Sequence, residues 1–126
     1  MTWFAASAIM FVEFKDGTQD YYPVWENVLL IEADDANEAL RLAQQRAKED
    51  EGDSDGSFRC NDRPARWVLA GIRKVLTVAH RSAMGQLQSG DEATFTEFVV
   101  RDRAALDRLT AGESVELEYV EEREPL

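Results

Sequence analysis

Glu51, Asp53, Asp55, Gly56 and Asp62 occupy positions one, three, five, six and twelve of a twelve-residue window inside the acidic stretch 49–63, which opens "EDEGDSDGSF". This is the spacing of a loop that folds round a calcium ion. Short acids at alternate positions turn their oxygens inward, and a glycine at the sixth makes the tight bend. Phe58, at position eight, stands where such loops carry an apolar anchor. Three features oppose the assignment. Glu51 is one methylene longer than the usual opening aspartate, and Asp62 is too short to reach an ion with both oxygens, as a closing glutamate does. Pro64 and a strand-like run follow where an exiting helix belongs, and no second such loop exists in the chain. The acids therefore read as a solvated loop that stops a helix, and no metal is expected.

Other reactive residue types are scarce. Cys60 is the one thiol and His80 the one histidine. A nucleophile needs an adjacent base and a third group to orient it, and nothing in the sequence joins these two. A structural zinc site takes four Cys or His ligands and cannot be built from a pair. Gly85 and Gly90 are too sparse for a phosphate-cradling loop, and no Lys-Ser or Lys-Thr follows them. Carboxylates are so numerous that no single pair stands out as a glycosidase couple. The sequence names no catalytic residue and no cofactor, and it points away from an enzyme.

Composition narrows the partners. Twenty-five acids against fourteen bases leave a formal net charge of −11. Such a surface repels phosphate backbones and so argues against nucleic-acid binding, while it speeds encounter with a basic protein. No run of about 18 apolar residues exists, so no membrane span is expected. The apolar start "MTWFAASAIMFVEF" lacks the basic residues that precede a secretory signal. With a single cysteine, these features suit a cytoplasmic setting. A length of 126 residues reads as one domain, 1–126.

The elements that must position these residues come from periodicity. Trp3 to Phe14 is apolar or small on both alternating faces, as in an interior strand. Asp16-Gly17 marks a turn into a second strand, Tyr21–Glu32, whose Pro23 belongs at an edge or bulge. The period then changes to 3.6: Ala36, Ala39, Leu40, Ala43 and Ala47 form one stripe, with Arg41, Gln44, Gln45 and Lys48 facing water. Asp35 is placed to cap this helix and Glu38 to complete a capping box. Strands follow at Arg66 to about Val78 and Thr94–Val100. A short helix is capped at Asp102 and ended by Gly112, and a final acidic strand spans 113–122, with Val115, Leu117 and Tyr119 inward. The order β-β-α-β-β-α-β predicts an α+β fold: one antiparallel sheet with two helices packed on one face.

"WFAA", "ENVLLIEADDANEALRLA", "WVLAGI" and "SGDEATFTEF" succeed one another as they do in a group of small bacterial proteins. From Trp3 to about Phe98 the chain resembles that group, a domain of unknown function numbered four-two-eight-eight. The resemblance implies a compact α+β fold in a bacterial cytosol and supplies no activity. The long acidic loop and the final helix and strand depart from the group's pattern.

Two helices cover one face of a sheet, yet the first three strands look apolar on both. The sequence therefore predicts aromatics such as Trp3 or Phe4, Tyr21 or Tyr22, Trp25 and Trp67 on an open face, unless the connection 79–93 and the C-terminal tail fold across it. The leading expectation is a non-enzymatic interaction module that forms a homodimer through its sheet, with Tyr21, Tyr22, Trp25 and Trp67 at the contact. The alternative is an immunity-type inhibitor that neutralises a basic toxin with Glu49, Asp50, Glu51, Asp53 and Asp55.

Overall fold

The computed structural model describes residues 1–78 and 86–120. Along the chain run β1 (Thr2–Phe14), β2 (Val24–Ala33), α1 (Ala36–Lys48), β3 (Arg59–Cys60), β4 (Arg63–Thr77), β5 (Glu97–Val99), α2 (Arg103–Thr110) and β6 (Glu118–Val120). The α+β class read from the sequence holds. The single sheet divides in two: β2-β1-β4-β3 form one antiparallel sheet, and β5 and β6 pair in a second. The expectation of both helices on one face is corrected accordingly. Helix α1 packs on the four-stranded sheet, whereas α2 links the two strands of the small one. Local alternation establishes that a segment is a strand, and only tertiary packing selects its partner.

The central strand β1 explains the layering. Its even positions, Phe4, Ala6, Ala8, Met10, Val12 and Phe14, are all buried. Phe4 and Ala6 pack with Val75 of β4 and Ala33 of β2 beneath Ala39 and Ala43 of α1. Alanines along the helix stripe let its backbone approach the sheet closely, as the sequence pattern requires. Asp35 caps α1 by accepting from the Glu38 amide at 2.8 Å, and the Glu38 carboxylate reaches back to the Asp34 amide at 3.3 Å. Gly112 ends α2 with φ +79°; its amide donates to Leu109 and the next amide to Arg108, the paired bonds of a glycine-terminated helix.

On the other face Ala5, Ser7, Lys74 and Leu76 are buried. The C-terminal segment supplies part of that cover. The Lys74 ammonium donates to the Phe95 carbonyl, the Arg73 guanidinium lies 3.7 Å from the Tyr119 ring centroid, and the Tyr119 hydroxyl donates to Glu26 at 3.0 Å. The open face expected from the sequence is therefore closed over Ala5 and Ser7 of β1 and Lys74 and Leu76 of β4. It stays open along β2, where Val24, Val28 and Leu30 are exposed.

β4 is longer than β1 needs. Arg73 and Ala70 have no place in the register, which slips between Ser7 and Ala8 and again between Ile9 and Met10. Such bulges add twist and re-aim side chains. Before β2, Pro23 accepts from the Val12 amide at 3.0 Å. The Gln19 side chain bridges Phe14, Val12 and Tyr21, holding the two chains together where regular pairing has stopped.

Candidate functional site

Helix α1 covers the sheet only as far as its own end. Beyond it, on the same face, lie Met10, Val12 and Phe14, and the acidic loop folds over them from the β4 side. This loop is a built structure. Gly52 exchanges backbone hydrogen bonds with Trp67 at 3.1 and 2.7 Å, and the Leu69 amide donates to the Glu51 carboxylate at 2.8 Å. Ser54 and Asp55 take left-handed φ of 53° and 58°, turning the chain so that the Phe58 amide reaches the Asp53 carbonyl at 2.8 Å. Asn61 and Asp62, at φ 52° and 62°, form the two-residue hairpin turn between β3 and β4.

The five acids serve different ends. Asp53 pairs with Lys15 and accepts from the Gly56 amide at 3.0 Å. The Lys15 hydrogen bond, then that amide, hold its carboxyl below the usual range. Asp50 accepts from Arg46 at 3.0 Å, and Glu49 lies 3.7 Å from the same guanidinium, whose pKa Asp50 raises. Glu51 is spent on Leu69, and Asp55 is exposed on its turn. The calcium spacing of Glu51, Asp53, Asp55 and Asp62 thus does not become a cage. Among the described residues no three Asp, Glu, His or Cys side chains converge on a metal-sized site.

The four aromatics singled out from the sequence are not one patch. Tyr21 packs on Phe14 at 5.5 Å between ring centroids, and its hydroxyl accepts from the Asn61 amide at 2.8 Å. Tyr22 meets Phe11 at 5.7 Å on the opposite face, because Phe11 and Phe14 differ by an odd number of strand positions. Trp25 of β2 and Trp67 of β4 come together across Met10, centroids 4.8 Å apart and planes at 80°. They lie on the helix-covered side, not on an uncovered face. Phe58 from the acidic loop stacks on Trp67 at 5.4 Å and 30°.

Beside this indole pair is a cavity of about 310 Å³ lined by Met10, Trp25, Asn27, Asp50 and Trp67. Met10, buried, is its floor, the two indoles are walls, and Asp50 and Asn27 bring a carboxylate and an amide to its rim. Sequence reasoning selected Trp25, Trp67 and Asp50 for separate reasons, took Phe58 only as an apolar anchor of the loop, and missed Met10 and Asn27. The register pairing of Met10 with Trp25 and of Ala8 with Asn27 is what unites them.

Cys60 is half-buried and packs beside Val12, Phe14 and Ala65 as a small apolar group. His80, like the segment 79–85 and positions 121–122, lies outside the described residues; of the acidic strand expected over 113–122 only Glu118–Val120 pairs as a strand, and Leu117, expected inward, is exposed. Ser7 and Lys74 are register partners, a pairing of types that could form a nucleophile–base couple. They are 0% and 4% exposed beneath the C-terminal segment, which closes them to a substrate.

The two-layer α+β sheet with one long covering helix defines the architectural class of this protein. A family described as a domain of unknown function (DUF4288) matches residues 3–92, and the chain belongs to that family. The match takes in β1 to β4, α1 and the acidic loop; β5, α2 and β6 lie beyond it. No curated protein and no solved structure matches the chain.

Proposed function

We propose that this protein is a non-enzymatic, cytoplasmic interaction module that binds a second copy of itself along the free edge of β2. The observation that carries this reading is the state of that strand. β2 is ten residues long and, among the described residues, pairs only with β1. Edge strands are usually blunted by charged side chains, above all lysine, by proline or by shortness, and the charges of β2 are Glu26, which accepts from Tyr119, and Glu32. Val24–Ala33 contains no lysine and no proline, and Val28 and Leu30 are 43% and 46% exposed on it. A groove of about 460 Å³ runs beside the edge toward α1, lined in part by Leu29, Ile31 and Leu42. An added strand would gain backbone hydrogen bonds from the edge and side-chain contacts from the groove. A second β2, related by a two-fold axis, meets those requirements with self-complementary residues.

Light scattering coupled to size exclusion tests this. The wild type is expected to elute as a dimer and Val28→Glu/Leu30→Glu as a folded monomer. A wild-type monomer at high micromolar concentration would end the proposal.

A second reading rests on the acids beside the indole cavity. Asp50 is exposed and lines the cavity with half-exposed Trp25, and exposed Glu49 precedes it in the chain, which suits capture of a basic partner, as an inhibitor of a basic toxin would require. Retention of such a partner from cell extract at low salt, lost on neutralising Glu49 and Asp50, is its expected signature.

A further inference from the structure

The geometry points to a specific ligand for the cavity bordered by the Trp25–Trp67 pair: the guanidinium of an arginine side chain presented by a basic partner protein. The inference deepens the second reading above and is independent of self-association. Three features of the cavity select this chemistry together. Its walls are two indoles at 80°, and Trp67 is already stacked by Phe58, so Trp25, 46% exposed, is the ring with surface to offer. Indole is the aromatic that attracts cations most strongly over its face. Its lining includes the Asp50 carboxylate, already bonded by Arg46, and the Asn27 carboxamide, whose carbonyl can accept. Its floor is the thioether of buried Met10, which suits an alkyl stem.

Arginine satisfies all three at once. The flat guanidinium stacks on an indole, and its fork of donors can reach both Asp50 and Asn27. An ammonium group is compact and strongly hydrated, and it offers no plane to stack. Arg46 holds one Asp50 oxygen, Oδ1, at 3.0 Å, so the incoming guanidinium takes the other. The net charge of −11 favours the approach of a cationic segment.

The test uses the full-length protein and an acetylated Gly-Arg-Gly amide, with the citrulline peptide as its neutral isostere and tetramethylammonium as a plain cation. The readout is the pair of indole N–H resonances of Trp25 and Trp67. The arginine peptide is expected to shift both saturably at low salt, with a Kd on the order of 1 mM for so small a probe. Asp50→Asn should weaken it about threefold, and Trp25→Ala about tenfold. Asp50 is an exposed loop residue, so its variant keeps the test meaningful should Trp25→Ala fail to fold. Equal binding of the citrulline peptide, tighter binding of tetramethylammonium, or indifference to Asp50→Asn would each overturn the assignment. If the peptide does not bind while a basic protein is still retained at low salt, the arginine site falls and the basic-partner reading stands; loss of both removes both.

Discussion

Lys15 reaches from the end of β1 to Asp53, 38 positions along the chain, and ties the acidic loop to the sheet. Because the folded Asp53 carboxyl titrates below its unfolded value, its ionised form favours the folded state. The contribution is complete above the unfolded carboxylate pKa of about 3.9 and fades as pH falls through the lower folded value. Lys15→Met should therefore lower the urea midpoint at about pH 7, and the gap from wild type should narrow as pH falls below about 3.9 and through the lower folded value. A gap that does not narrow on acidification would assign the effect to packing of the lysine stem. Partnerships of this kind are invisible in sequence, since Lys15 and Asp53 are distant in the chain. The caps at Asp35 and Asp102 are legible because each acts on an amide three residues on.

At the scale of elements the alanine stripe of α1 is the feature most open to test. Ala39 and Ala43 are fully buried against Phe4, Ala6 and Val75, so there is no space there for a larger side chain. Ala43→Leu should cost about 1–3 kcal/mol in denaturant unfolding by overpacking this seam. The exposed neighbour change Gln44→Leu should stay within about 0.5 kcal/mol. Equal effects would mean that helix propensity rather than close approach dominates. Both helices and the long strands were legible because their periods extend over many residues. β3 was not, because two residues carry no period, and the turn at Asn61-Asp62 was absorbed into the acidic loop. The strand read at Tyr21 begins at Val24 instead, since Pro23 has no amide to donate and the Gln19 side chain takes over the pairing there.

For the whole molecule, charge separates the two kinds of partner by the sign of their salt dependence. Two copies that each carry −11 repel, so self-association along β2 should tighten as salt rises from about 20 mM to about 150 mM and screening shortens. Capture of a basic protein at the Trp25 cavity should weaken over the same range. Light scattering for the first and a pull-down for the second, each at both salts, read the two slopes. A common slope would mean that one of the contacts is not electrostatically governed.

The sequence by itself determined the α+β class, the family, the capped and alanine-faced helix, and the two-sided burial of Trp3–Phe14, because each is written in local periodicity, local capping or residue order. Only the tertiary structure decided where the faces point and what covers them. Strand register brings Trp25, Met10 and Trp67 together, α1 stops short of them, and the turn at its end, with the Asp50 amide on the Ala47 carbonyl, sets Asp50 beside them. That assembly joins residues from four separate stretches of chain, and no local signal relates them.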